Sequence, residues 1–560
     1  MDAIFLLPII QLSVVFIFTG IVAFLLKLLK QPLIPAYILA GILLGPVFQL
    51  IKDAEFISLL SELGIAFLLF FAGLEFSFEK IKKISVPAII IGFLQVSASF
   101  ILGFYLAGWL NFGFLPAVYI GLILAFSSTL IAVKIFSDRR ELDTLHGRIS
   151  IAILLLQDLF AVWALAILPE AQNPWAMGYP LLATFALIFI IVFASKYSLP
   201  PVFRYAAQFP ELLFLTAMSV CFAYIFAAEV LGLSIAIGAF VAGMGLAQLP
   251  YSREISGLIR PLRDFFIVLF FVFLGMQLAP FNPGLLWVFF LFLFISIFIK
   301  PFIIFFFSSI LGYEARTGFF SGISLGQLSE FSLILATQAF LSGIFSQEFF
   351  SFIVLLTVTS MLVSTYAIHH KSGVYGKLSR ILRPFEKLAI KKVKYSYQAR
   401  SEKKIVIFGC HRMGSIFLNR LKKSLRSIIV VDHNPEVIES LMKEKVSCIY
   451  GDMENPEILE SLDLSQIKLI ISTVPDDDAN AFLIRYVKAR NPEIKIFVTS
   501  DHLKQVPKLY ELGADYVILP HFLSGESVAR IIRAVLSGKK ELSDIRYRHV
   551  EHLKKIKVYG

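Results

Sequence analysis

In the stretch LLLQDLFAV, residues 154–162, an amide and a carboxylic acid sit inside an apolar run long enough to cross a lipid bilayer. An ionised side chain near the bilayer centre costs roughly 3 kcal/mol on insertion scales, so such a group generally faces a cavity or a partner and serves function. Asp158 is one of three groups so placed; the others are Lys300, in ISIFIKPFIIFFF, and Glu330, in SLGQLSEFSLIL. A carboxylate in a partly hydrated cavity binds either a proton or a small cation, and each excludes the other because each neutralises the same charge. Desolvation favours the protonated acid and a nearby cation favours the ionised one, so proton release is coupled to cation capture. Competition for one site is all that an exchanger requires. The alternative is structural: buried ion pairs that lock helices together.

Two of the apolar runs are broken by small and polar residues. ILAFSSTLIAV, 123–133, contains Ser127, Ser128 and Thr129, and FSGISLGQLSEF, 320–331, contains Ser321, Gly322, Ser324, Gly326 and Gln327. Such a pair in corresponding positions of two halves is the sequence sign of discontinuous helices crossing at a midplane site. Irregular backbone is tolerated at that depth only where protein or a water-filled cavity surrounds it. Ser and Gly taken alone also suit tight helix packing. Together with Asp158, Lys300 and Glu330 they favour an ion site.

The elements that must position these groups follow from hydropathy and charge. Of 560 residues, 58% are hydrophobic and 57 are Phe, but the apolar runs stop near residue 370. Thirteen spans are expected, near 4–26, 31–50, 56–77, 85–108, 114–136, 147–168, 178–196, 210–228, 231–248, 264–280, 284–311, 317–343 and 349–368. The first lacks a basic leader and a small-residue cleavage site, so it reads as a retained span. With these spans one side collects 15 basic residues, from Lys27 and Lys30 through Arg253, Arg260, Arg263 and Arg316, and the other only Lys52. By the positive-inside rule the rich side is cytoplasmic, which puts the N-terminus outside and the tail inside.

The first 370 residues hold 17 of the 51 basic and 18 of the 40 acidic residues, so the basic excess lies in the tail. It is densest in the linker 371–402, beside the last span, where basic charge reads as attraction to anionic lipid rather than to nucleic acid. The three cysteines, Cys221, Cys410 and Cys448, have neither metal nor disulfide spacing and read as packing residues.

From Lys404 the pattern changes to short β-rich strands, 405–408, 428–432, 448–450, 469–473, 496–499 and 516–518, with amphipathic helices between them. That alternation specifies a parallel, doubly wound sheet over 403–537, followed by a charged tail, 538–560. After the first strand, GCHRMG places Gly409, His411 and Gly414 at the three glycine positions of a dinucleotide loop, with Arg412 and Met413 between. Asp432 ends the second strand, 23 residues after Gly409, where an acid accepts hydrogen bonds from a ribose. A nucleotide fold that has lost its ligand is the competing reading.

QPLIPAYILAGILLGP (31–46), SELGIAFLLFFAGLEFS (61–77), AFSSTLIAVKIF followed by LHGRISIAILLLQDL, GLSIAIGAFVAGMGL (232–246) and FFVFLGMQL (270–278) resemble, in order, the Kef-type potassium/proton branch of the second monovalent cation/proton antiporter family. The resemblance covers about residues 1–535. It implies a polytopic α-helical antiporter fold of 13 helices with inverted repeats, split into a dimerisation domain and a sliding core. It also implies a homodimer in the cell membrane, with two broken helices at 114–136 and 317–343. In relatives with two adjacent acids the second binds the ion, the first pairs with a lysine, and transport is electrogenic. Gln157 stands at the first position, as in one-for-one exchangers. Lys300 matches the family's lysine but lacks that acidic partner, leaving Gln157 or, with no cation bound, Asp158 to receive it.

For the tail the resemblance implies an RCK (TrkA-N) N-lobe of Rossmann-like α/β fold, binding NAD(H), AMP or another adenine nucleotide as a regulatory ligand. The usual pattern retains Arg412 but has glycine where His411 stands, which disfavours close approach of a pyrophosphate. By the same resemblance Asp452 and Met453 are adenosine contacts and Thr473 follows the fourth strand. The leading expectation is a potassium or sodium/proton antiporter regulated by nucleotide. A channel-like, ligand-gated potassium efflux system is the alternative within transport. A membrane-anchored oxidoreductase is disfavoured, because no soluble substrate domain accompanies the nucleotide fold.

Overall fold

Apolar runs in a bilayer must satisfy their backbone internally, so they become helices. The computed structural model describes residues 8–28, 33–51, 54–75, 86–139, 141–142, 144–168, 178–279, 283–388, 396–397, 403–410, 412–421, 427–451, 453–454 and 456–537, with Ser543, Arg546 and Val550. The chain divides into two units, Met1–Leu142 with His146–Lys392, and Asp143–Leu145 with Val393–Gly560.

In the first unit the helices are α1 (Pro8–Leu28), α2 (Leu33–Ile42), α3 (Ala54–Glu75), α4 (Val86–Trp109), α5 (Phe114–Ala125), α6 (Thr129–Asp138), α7 (Leu145–Ile167), α8 (Gly178–Tyr197) and α9 (Leu199–Ala206). They continue as α10 (Pro210–Val230), α11 (Ile235–Leu246), α12 (Ser252–Met276), α13 (Leu286–Phe294), α14 (Lys300–Ile310), α15 (Ala315–Ile323), α16 (Glu330–Leu341), α17 (Gln347–His369) and α18 (Lys371–Leu382). Helix occupies every one of the expected span ranges among the described residues. Seven of these helices are long and apolar enough to cross a membrane, and Leu182–Tyr197 with Leu199–Ala206, bent by 58°, offers an eighth span. Shorter apolar helices occupy Leu33–Val47, Glu62–Leu74, Ile235–Leu246 and Glu330–Leu341.

Two breaks fall where the polar residues interrupt the apolar pattern. Between α5 and α6, Phe126 and Ser128 are extended, and the Ser128 hydroxyl caps α6 by accepting from the Ile131 N–H. Between α15 and α16, Ser329 is extended and accepts from the Phe331 N–H.

Two differences from the sequence reading bear on the site. Helix α12 begins at Ser252, twelve residues before the expected span, so Arg260 and Arg263 lie on a helix and not in a loop. Residues 371–388, expected in the linker, belong to the first unit: Lys371 is buried, and Leu382 and Phe385 pack with Phe305 and Ala315.

Close helix contacts are made through glycine. A Cβ on Gly41 would sit 2.0 Å from the Val272 carbonyl oxygen, and one on Gly73 would sit 2.3 Å from that of Phe240, so α2 meets α12 and α3 meets α11 backbone to backbone.

The second unit is a seven-stranded sheet in the order β1-β4-β3-β2-β5-β6-β7. Its strands are β1 (Ser396–Tyr397), β2 (Ile405–Phe408), β3 (Ile428–Asp432), β4 (Cys448–Tyr450), β5 (Leu469–Ser472), β6 (Lys495–Thr499) and β7 (Tyr516–Ile518). The six expected strands are parallel; β1 is an unforeseen antiparallel edge on β4. Helices α19 (Arg412–Arg420), α20 (Pro435–Lys443), α21 (Pro456–Ser461), α22 (Asp477–Lys488), α23 (Val506–Glu511) and α24 (Pro520–Leu536) complete the fold. Strand order reverses between β3-β2 and β5, the switch point where doubly wound sheets bind ligands.

Candidate functional site

The two breaks face each other and satisfy one another's polar groups. The Ser127 hydroxyl donates to the Leu325 carbonyl at 2.8 Å, and the Gln327 amide donates to the Ser128 and Ser324 carbonyls at 3.2 Å. Ser364 donates to the Gln327 side-chain oxygen at 2.6 Å, and Ser360 accepts from the Leu328 N–H. Ser296, in a π-helical stretch Ile295–Ile299 just before α14, donates to the Gly326 carbonyl at 2.8 Å.

Lys300 completes this crossing. It is fully buried, and its ammonium donates to the Phe126 carbonyl at 3.0 Å and the Gln327 carbonyl at 2.7 Å. Phe126 ends α5, so the cation also answers the negative end of that helix. This corrects the expectation for Lys300: its partners are main-chain carbonyls, not Gln157 or Asp158. An interrupted helix exposes carbonyls that only a buried donor can satisfy.

Gln157, 1% exposed, is likewise occupied by the crossing. Its oxygen accepts from the Ser127 N–H at 2.9 Å and its nitrogen donates to Gln95 at 2.5 Å; Gln95 in turn donates to the Ala125 carbonyl at 3.0 Å. Gln95 was missed in the sequence, although an amide within the apolar run IIIGFLQVSASF is itself a signal.

Asp158, one residue on, points the other way. Both of its oxygens lie within hydrogen-bond reach of the Thr129 hydroxyl, at 3.2 and 3.1 Å, at the first turn of α6. An anion there is favoured by the positive end of the helix. Asp158, Thr129, Glu330 and Arg263 line one cavity of about 50 Å³, with Phe71, Phe240 and Phe331 among its apolar walls. That is room for a few waters or a partly hydrated ion. Ser127 and Ser128 do not line it. They hold the backbone that presents Thr129.

In the second unit, Gly409 has φ +81° at the end of β2, a conformation open to glycine. A Cβ on Gly414 would lie 2.0 Å from the Gly409 carbonyl oxygen, so the loop closes tightly onto the start of α19. Asp432 is 5% exposed, and its carboxylate accepts from the Cys410 N–H at 2.6 Å and the Asn434 N–H at 2.8 Å. Thr473 donates to the Phe408 and Gly409 carbonyls at 3.2 and 2.9 Å. Glycine loop, helix N-terminus and acid thus fit a nucleotide phosphate and ribose. Met453 is 4% exposed, packs in the core and accepts from Ser472, unlike the expected adenosine contact. Met413 lies in the first turn of α19. His411 and Asp452 lie outside the described residues, as does the side chain of Arg412. Burial pushes the Cys410 thiol up to about 12, with Asp432 adding to it, so this loop cysteine is unreactive.

Residues 13–370 match the family model described as "Sodium/hydrogen exchanger, transmembrane", and 405–520 match the TrkA-N domain. The chain belongs to the sodium/hydrogen exchanger family. It is 26% identical over 521 residues to YbaL of Escherichia coli (strain K12), covering 88% of this chain and 91% of that one. It is 28% identical over 519 residues to the glutathione-regulated potassium-efflux system protein KefC of Cronobacter sakazakii, covering 89% and 80%. The sodium proton antiporter MjNhaP1 of Methanocaldococcus jannaschii shares the exchanger fold, with TM-score 0.50 and 16% identity over 67% of this chain and 98% of that one. This exchanger is therefore a multi-pass secondary transporter with a C-terminal TrkA-N domain, and not an enzyme.

Proposed function

We propose that this exchanger moves potassium or sodium ions against protons, one for one, by alternating access, the two competing for Asp158. The observation that carries the reading is one carboxylate, held by Thr129, facing a cavity beside a crossing whose own polar groups are already satisfied. Glu330 faces the same cavity and would share a bound cation or proton. Gln157, engaged with Ser127 and Gln95, carries no charge to add to the cycle, which supports electroneutral exchange. The name of KefC favours potassium.

The TrkA-N domain would hold NAD(H), AMP or a related adenine nucleotide as a regulator, with Gly409, Gly414 and the start of α19 at the phosphates and Asp432 at the ribose. The protein would work as a homodimer in the cell membrane, N-terminus outside and TrkA-N domain in the cytoplasm, its basic linker against anionic lipid. Asp158→Asn is expected to abolish cation-dependent proton movement in proteoliposomes while expression persists. Normal exchange by that variant refutes the assignment. Cation flux without proton counterflow in the unaltered protein would instead favour a gated channel.

A further inference from the structure

The walls of the Asp158 cavity are fastened in two different ways. Thr129, Asp158 and Glu330 come from α6, α7 and α16, tied to the crossing by Ser127, Gln157, Gln327 and Lys300. The facing residues Phe71, Phe240 and Arg263 come from α3, α11 and α12, packed on one another and on α2 through Gly41, Gly64, Gly73 and Gly275. Among the residues that line the cavity, Arg263 is the basic one. Its guanidinium carbon lies 4.0 Å from the Phe71 ring centre, and its Nε and Nη2 donate to Asp264 at 2.9 and 2.7 Å. Its side chain is 16% exposed, against 60% for that of Asp264. The position of the guanidinium is thus set by an aromatic face and a carboxylate of its own helix.

We propose that Arg263 is a fixed counter-charge, carried on the opposite wall, that sets how tightly the cavity holds both proton and cation. The proposal rests on the exchange reading above. Arginine keeps its proton at any cellular pH, so its charge is constant while the carboxylates load and unload. With Asp158 and Glu330 ionised, Arg263 leaves the cavity one negative charge, which one proton or one monovalent cation neutralises. Without it the cavity carries two and favours divalent ions. Because Arg263 stands on a different set of helices from Asp158, relative movement of the two sets changes its field at the carboxylates. Affinity falls where the guanidinium faces them, which promotes release.

The other groups that bear on this balance are few. Asp264 and, on α2, Tyr37 within electrostatic reach of Asp264 lie on the Arg263 side. Lys300 on α14 is directed to the Phe126 and Gln327 carbonyls, and α3, α6 and α11 line the cavity with apolar residues and Thr129.

The test is proton/cation exchange in proteoliposomes, with potassium and sodium chloride separately, across pH and cation concentration. Arg263→Gln is expected to move the pH midpoint alkaline by about one unit, as loss of a neighbouring positive charge does to a carboxylate. The KM for cation should fall several-fold, and magnesium chloride should become inhibitory. Arg263→Lys should restore the original profile. Asp264→Asn, which strengthens the net positive field and keeps Arg263, should move the midpoint to acid. It serves as the deciding variant if Arg263→Gln does not assemble. An unchanged midpoint and KM in Arg263→Gln, a Lys variant that behaves like the Gln one, or an alkaline or absent shift in Asp264→Asn overturns the proposal. Failure of the exchange reading shows separately, as normal exchange by Asp158→Asn.

Discussion

Asp158 and Asp432 are both carboxylates set beside an irregular segment that opens a helix, yet the protein uses their charge differently. Asp432 is 5% exposed and gives one oxygen to the Cys410 N–H and the other to the Asn434 N–H. Asp158 shares one hydroxyl, Thr129, between its two oxygens and faces a cavity. In the membrane, the work of satisfying the break has been handed to Lys300, Gln157 and Gln327, which leaves the acid able to change partners. In the TrkA-N domain the acid itself builds the loop. An anion can be cargo-binding only where something else holds the scaffold.

The largest effect should come from Lys300. Lys300→Ala strands the Phe126 and Gln327 carbonyls, and each buried group left unpaired costs about 1–3 kcal/mol. A marked fall in the melting temperature of the detergent-solubilised protein is expected, whereas Asp158→Asn should melt near the parent. Equal melts for the two variants would break the comparison. Asp432→Ala removes the acceptor of two N–H groups and should cost about 2–3 kcal/mol by the same rule, read as a lower melt of the TrkA-N transition. It should also remove the rise in melting temperature that NAD(H) or AMP gives the full-length protein. Asp432→Asn, which keeps one oxygen acceptor, should fall between the two.

A smaller effect is expected at Glu141, in the loop before α7. Its carboxylate accepts from Lys371 and lies 3.1 Å from His146 Nε2. Burial opposes ionisation there, but the His146 and Lys371 contacts outweigh it and hold the group down to about 2. A depressed acid stabilises the fold above its unfolded value, near 4.5, and that contribution is lost as pH falls toward 2. The melting difference between the parent and Glu141→Gln should therefore be full at pH 6 and shrink steadily below pH 4.5. The smallest effect concerns Cys410, buried with its thiol pushed up to about 12: maleimide at pH 8 should leave it unlabelled in the folded protein.

Much of the scaffold was legible because it is written in side chains. Period-2 apolar runs marked six strands at or within one residue of their observed limits, and Ser127-Ser128 and Ser324 to Gln327 marked both breaks. What escaped is written in backbone. The partners of Lys300 are carbonyls, which every residue carries, so no sequence pattern named them. Arg263 was assigned to a loop because charge counting places basic residues at membrane ends; the amphipathic start of α12, REISGLIRPLRD, was the available correction. Strand β1 is two residues long within a charged segment and owes its pairing to the edge of β4. Met453 was read as a ligand contact from position alone, whereas its flexible thioether fills the core.

The glycine contacts of α2 with α12, and of α3 with α11, have no side chains between them. A seam of bare main chain has no rotamers to give, so it cannot absorb thermal slack by rearranging. Compliance in this half of the molecule must then gather along the phenylalanine-lined boundary at Phe71 and Phe240, the seam best suited to slip.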